Sequence, residues 1–155
     1  MYEICNNIVY LNVNFNERIP IKLLKILKKY DRLVMGMSFN HKINNLPNNI
    51  KTIRLGFDFD KKITHLSNGI KKVNFIGNFS QKLTNLPNSV THIKLNTSYN
   101  LKLTNMPYNI KSIEFYNRTK YNKKITNLSS KIIYIKLGIT QNIKQKYIDA
   151  NIIKN

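Results

Sequence analysis

Three histidines, one cysteine and seven carboxylates are the side chains of this chain best suited to ligate a transition metal, attack a substrate or pass a proton. His41, His65 and His92 have no cysteine neighbours and occupy different positions of the twenty-residue repeat that runs through the chain, so no metal site is expected. Cys5 stands alone, without a His partner in any motif; an intrachain disulfide is impossible, whereas an intermolecular one stays open. Glu3, Glu17, Asp31, Asp58, Asp60, Glu114 and Asp149 are scattered, and only Asp58 and Asp60 form a close pair, which reads as a turn. No glycine-rich loop could cradle a phosphate. These residues predict a protein without catalysis, metal or cofactor.

Charge is the next candidate for function. Twenty-six Lys and Arg against seven Asp and Glu leave a net charge of +19. Twenty-two of the cations are Lys and only four are Arg, alongside twenty-five Asn and twenty-three Ile. Lys, Asn and Ile share A/T-rich codons, so a biased genome produces this composition without an anionic partner. Charge of this size still attracts nucleic acid and acidic surfaces non-specifically. Arg, the residue of bidentate phosphate and base contacts, is scarce. No run of eighteen apolar residues exists, so no membrane insertion is expected. The first residues, Met1 to Asn7, lack the pattern of a signal peptide; with the lone cysteine, this points to a reducing, cytoplasmic setting. The sequons Asn78-Phe79-Ser80 and Asn117-Arg118-Thr119 are expected by chance in so Asn-rich a chain.

The elements that must position any site come from the repeat. Ile43, Leu46, Ile50, Ile53, Leu55 and Phe59 are followed twenty residues later by Ile63, Leu66, Ile70, Val73, Phe75 and Phe79, then by Leu83, Leu86, Val90, Ile93, Leu95 and Tyr99. Leu103, Met106, Ile110, Ile113, Phe115 and Tyr121 continue it with a two-residue insertion, and Ile125, Leu128, Ile132, Ile135 and Leu137 complete the last copy. Leu33, Met35, Phe39 and Val9, Leu11, Phe15 extend it towards the N-terminus. A period near twenty is too short for two helices; it fits one short strand and a return path. Apolar-x-apolar pairs beginning at 9, 33, 53, 73, 93, 113 and 135 predict about seven parallel strands in a mainly β open solenoid. No coil could bury its own apolar face, so neighbours supply the core. One gap is 24 residues, and Pro20 to Tyr30, with apolar residues at three- and four-residue spacing, predicts a helical insertion there.

A second ladder follows each strand: Phe15-Asn16, Phe39-Asn40, Phe59-Asp60, Phe79-Ser80, Tyr99-Asn100 and Tyr121-Asn122, with Gln141-Asn142 keeping only the Asn. The aromatics are expected between coils, and the short polar residues are expected to satisfy nearby amides as the chain leaves the sheet. Gly36, Gly56 and Gly138 precede these pairs by three residues, where Gly would relieve a tight bend. Pro47, Pro87 and Pro107 mark the return path.

Gly36-Met37-Ser38-Phe39-Asn40 and Gly56-Phe57-Asp58-Phe59-Asp60 carry a Gly-x-x-Phe-Asn/Asp motif. In register over roughly residues 8 to 142, it resembles the FNIP repeat family, a leucine-rich-repeat variant of slime moulds and large protist DNA viruses. The family's Pro after Phe-Asn-x is replaced by Lys42, Lys62, Lys82, Lys102 and Lys124. The resemblance implies a curved, leucine-rich-repeat-like solenoid that binds protein. It also implies a viral or protist origin, and so the host cytoplasm for a viral protein. Many members carry an F-box ahead of the repeats, for which the residues before the first coil leave no room.

The chain reads as a single repeat domain over 1–155: a first coil and cap in 1–22, repeats in 23–142 and a cap in 143–155. In the cap, Ile143 to Asp149 predicts a short helix with Asn142 as its N-cap. The N-terminal edge has only Met1 to Ile8 to protect it, so homodimerisation through the ends is a further expectation. The outward strand positions run Tyr10, Val34, Arg54, Asn74, Lys94, Glu114, Lys136 and Arg32, Thr52, Lys72, His92, Ser112, Tyr134. They vary while the core columns repeat. Arg54, Lys72, Lys94, Tyr134 and Lys136, with His92 and Glu114, are the candidate binding face, suited to an unknown protein with an acidic patch. The alternatives are non-specific nucleic-acid or anionic-surface binding, and self-association through the solenoid ends.

Overall fold

Each apolar-x-apolar pair becomes a short strand, because alternation sends its two apolar side chains to one side of a sheet. The computed structural model describes residues 1–116, 119–123, 125, 128–137 and the backbone of 147–149. Strand β1 (Tyr2–Cys5) is followed by β2 (Ile8–Leu11), helix α1 (Ile21–Leu27), β3 (Arg32–Val34), β4 (Thr52–Leu55), β5 (Lys72–Phe75), β6 (His92–Leu95), β7 (Ser112–Phe115), β8 (Tyr134–Lys136) and β9 (Tyr147–Asp149). They form one sheet in chain order. The seven strands from β2 to β8 are parallel, in the register the repeat predicts: Val9 opposite Leu33, then Ile53, Val73, Ile93, Ile113 and Ile135. The protein is therefore a leucine-rich-repeat-like β solenoid.

Those seven residues are buried, and the return-path columns join them: Ile43, Ile63, Leu83 and Leu103, then Leu46, Leu66 and Leu86, then Ile50, Ile70, Val90, Ile110 and Ile132. The last column is set by a turn in which its amide donates to the residue three before it. Ile50 N reaches Pro47 O at 3.1 Å, Ile70 N reaches Ser67 O at 3.2 Å, and Ile110 N reaches Pro107 O at 3.1 Å. Proline there supplies a carbonyl to the turn and withholds no donor from the sheet.

The predicted helical insertion is present but short. Leu23 and Leu27, four residues apart, bury one face of α1. The next coil closes its C-terminal end: Asn49 Nδ2 donates to Leu27 O at 2.8 Å and also to Tyr30 O.

Both ends differ from expectation. The C-terminal segment is not helical where it is described. Tyr147–Asp149 is a strand antiparallel to β8, with Ile148 opposite Ile135; Asn142, its expected cap, lies outside the described residues, as do Gln141 and Gly138. A short helix would have left the edge of β8 unpaired, whereas a strand takes up its free amides and carbonyls. At the other end β1 covers β2 in the same way, with Cys5 opposite Ile8. The intervening Asn6 and Asn7 have φ of 49° and 64°, as a two-residue type I′ hairpin requires.

The glycines act otherwise than predicted. None of the described glycines has positive φ, so Gly36 and Gly56 do not relieve a bend. A Cβ at Gly36 would stand 1.9 Å from Asn12 O, and one at Gly56 would stand 1.9 Å from Gly36 O. The missing side chain lets consecutive coils touch backbone to backbone.

Two stability measurements test this packing. Gly56→Ala would drive a methyl into backbone that cannot move aside and should cost about 3 kcal/mol in urea unfolding. Tyr99→Phe should gain about 1 kcal/mol, because the Tyr99 hydroxyl is buried without a partner in a column otherwise filled by Phe.

Candidate functional site: the sheet face and its supporting ladder

The ladder at the strand exits fixes how coils sit on one another, and so the spacing of whatever the sheet displays. Ring planes of Phe15, Phe39, Phe59, Phe79 and Tyr99 lie within 11° of parallel between successive coils, with centroids 6.0 to 6.3 Å apart. Phe59 and Phe79 are each 2% exposed, which is where a column between coils must lie. Strands in a sheet are about 4.8 Å apart. Near-parallel rings with centroids about 6 Å apart are therefore offset sideways along the column rather than stacked face to face. Tyr121, displaced by the two-residue insertion, instead packs its ring 4.7 Å from that of Phe115.

The polar partners do not cap their own turn, as expected from their types, but reach the next coil. Asn16 Oδ1 accepts from Asn40 N at 2.9 Å, and Asn40 Oδ1 accepts from Asp60 N at 3.1 Å. Asp60 then accepts both the Ser80 amide and the Ser80 hydroxyl at 2.7 Å. Asn100 Oδ1 accepts from Asn122 N at 3.1 Å. Ser80 donates its hydroxyl back to Asp60, and among the described residues no rung joins Ser80 to Asn100. Partial burial works to raise the Asp60 carboxyl, but the Ser80 amide and hydroxyl, the Gln81 side chain and Lys61 outweigh it and hold its pKa below 3.8.

The proposed face is assembled by the parallel register. Arg54, Asn74, Lys94, Glu114 and Lys136 form one row across β4 to β8, and Thr52, Lys72, His92, Ser112 and Tyr134 form the row beside it. Arg54 and Lys72 are exposed; Lys94, His92, Glu114, Tyr134 and Lys136 are half-buried. Ser112 departs from the outward pattern and is buried between His92 and Tyr134. Glu114 stands between Lys94 and Lys136 in register, yet its carboxylate accepts the Tyr134 hydroxyl at 2.7 Å. Lys94 Nζ lies 4.4 Å from the centroid of the Tyr116 ring. Lys94, Glu114, Phe115, Tyr116 and Lys136 enclose a shallow cavity of about 270 Å³. Burial, helped by the charges of Lys72 and Lys111 and opposed by Glu114, lowers the His92 pKa, so the imidazole is neutral at pH 7. Among the described residues there is one ion pair, Arg32 Nε to Asp31 Oδ1 at 4.0 Å. Arg54, Lys72, Lys94 and Lys136 thus have no carboxylate within ion-pair distance among the described residues, and Lys94 rests on the Tyr116 ring.

The histidines stay apart, with His41 Nε2 3.0 Å from Asn16 O and His65 Nδ1 3.0 Å from Thr64 Oγ1. Among the described residues no three of His, Cys, Asp or Glu gather as a metal site, and no helix is long and apolar enough to cross a membrane. Sequence reasoning missed a groove of about 650 Å³ beside α1, which Arg18, Leu24, His41, Lys42 and Lys61 help to line. Its signal was the 24-residue gap, whose extra residues form the helix that walls it.

The ladder carries a pH signature. Asp60 has a depressed pKa in the folded state, so its contribution to stability is full above 3.8 and is lost as pH falls through the folded value. Asp60→Asn should be less stable than the parent at pH 7, and the gap should close on acidification towards pH 3. Urea midpoints measured across that range would read it.

The FNIP Repeat family model matches residues 78–118. No curated protein matches the chain. Among solved structures it is similar to that described as "The crystal structure of CroV588 a novel circular LRR protein structure", with 21% identity and a TM-score of 0.45. That likeness covers 92% of this chain and 35% of the other, so the chain spans about a third of that neighbour's length. Residues 78–118, which include β6 and β7, thus resemble an FNIP repeat, and coils outside the match keep the same buried columns.

Proposed function

We propose that the protein is a non-enzymatic binding module whose sheet face recognises an acidic surface on a protein partner. The observation that carries this reading is the state of the cations on the two outward rows. Arg54, Lys72, Lys94 and Lys136 rise from a rigid, regularly spaced sheet without carboxylate partners among the described residues. Positive groups spaced regularly along one sheet face favour a complementary negative surface. A nucleic-acid partner fits less well. Arg, which gives bidentate contacts to phosphates and bases, is scarce. Self-association through the ends would now use β1 and β9, the outermost strands, as its pairing edges.

Two triple variants with the same change in net charge separate a specific face from diffuse charge. Reversal to Glu at Arg54, Lys94 and Lys136 should lower capture of acidic proteins at least about tenfold, roughly 1.4 kcal/mol. Reversal at Lys42, Lys82 and Lys102, which are exposed on the return side, should leave it within about twofold. Equal losses in both would reject the face, and capture abolished by nuclease would assign the charge to nucleic acid.

A further inference from the structure

The sheet face is not uniform along the solenoid. Its first two coils present Tyr10 and Val34 where later coils present Arg54, Lys94 and Lys136. Just beyond the strand ends, the same coils and the third carry Val13, Met37 and Phe57, 49%, 51% and 45% exposed. These three lie one coil apart, since Ser38 N donates to Val13 O at 3.0 Å and Asp58 N donates to Met37 O at 2.9 Å. The next residue in that column is Gly77, so the apolar column stops where the basic half of the sheet begins. Tyr10 and Val13 share a cavity of about 300 Å³ with Met1, which joins the column to the sheet. Single exposed apolar residues are ordinary; a contiguous column ending against unpaired cations marks an interaction surface.

Resting on the protein-binding reading above, we infer that the occupant is an extended polypeptide segment laid along the solenoid axis, with apolar anchors at one end and carboxylates at the other. The anchors cover Val13, Met37 and Phe57; the carboxylates meet Arg54, Lys72, Lys94 and Lys136. From β2 to β8 are six strand spacings, about 29 Å, which an extended segment spans with about nine residues. A second copy of this chain is the wrong occupant, because a net charge of +19 would set two basic faces against each other.

The test uses the whole protein and a labelled nine-residue peptide of three Leu followed by six Glu, read by fluorescence anisotropy. A control peptide replaces the three Leu by Ser. Met37→Ser with Phe57→Ser should weaken the Leu-Glu peptide at least about tenfold and leave the Ser-Glu peptide within about twofold. Lys94→Glu with Lys136→Glu should weaken both. Unfolding midpoints near the parent's confirm that the apolar variants, made at half-exposed positions, remain folded; Val13→Ser supplies a second such variant if they do not. Unchanged binding of the Leu-Glu peptide by the apolar variants would overturn the inference while leaving the acidic-partner reading intact. Unchanged binding of both peptides by the charge variant would overturn that reading itself. Capture of phosphatidylserine vesicles that depends on Met37 and Phe57 would overturn the inference by assigning the column to a lipid surface.

Discussion

Contact between one coil and the next is the interaction on which this protein depends. A coil of twenty residues has a strand, a turn and a return path, and no second layer of its own on which to bury Ile53, Leu55 or Phe59. Its neighbours provide that layer, and three devices fix their distance. Strand pairing sets it at the sheet. Gly36 and Gly56 let backbones meet where a methyl would collide. The aromatic and Asn/Asp ladder joins the coils on the exit side.

A constraint of this kind makes each position answer to the same position one coil away. Asp60 can replace Asn because either side chain accepts the next amide, whereas the shorter Ser80 side chain answers Asp60 behind it. Tyr99 can replace Phe in the ring stack but brings a hydroxyl with nowhere to go. Departures from the period are absorbed where the chain faces solvent. The four extra residues of one coil are taken up in the segment that holds α1, and the two extra residues of another displace Tyr121 onto Phe115 while Asn122 keeps its rung.

The architecture was legible because a buried column repeats in chemistry as well as in spacing. Val9 to Ile135 show one residue class at one interval, and only stacked coils put such residues together. The ends were not legible for the opposite reason: they occur once. Ile143, Tyr147 and Ile148 satisfy a helical spacing as well as a strand, and the choice was made by the unpaired edge of β8, which no local pattern records. Asn6-Asn7 was a readable hairpin signal, since few other pairs tolerate two positive φ values in succession. The purpose of the glycines could not be read either, because a bend and a close approach ask for the same residue. As for the face, the columns were readable from alternation, but the burial of Ser112 and the Tyr134–Glu114 hydrogen bond depend on side-chain size across neighbouring strands.

Rigid spacing is also what links the fold to recognition, for a sheet whose rows are pinned from behind can hold charges and apolar groups in a lasting pattern. Ring-to-ring proton contacts measured by nuclear Overhauser spectroscopy at Phe39, Phe59 and Phe79 test the stacking most directly. Stacked coils predict cross-peaks from Phe59 to both Phe39 and Phe79, twenty residues away on either side. Their absence, with Phe59 ring shifts typical of a solvated side chain, would contradict the account.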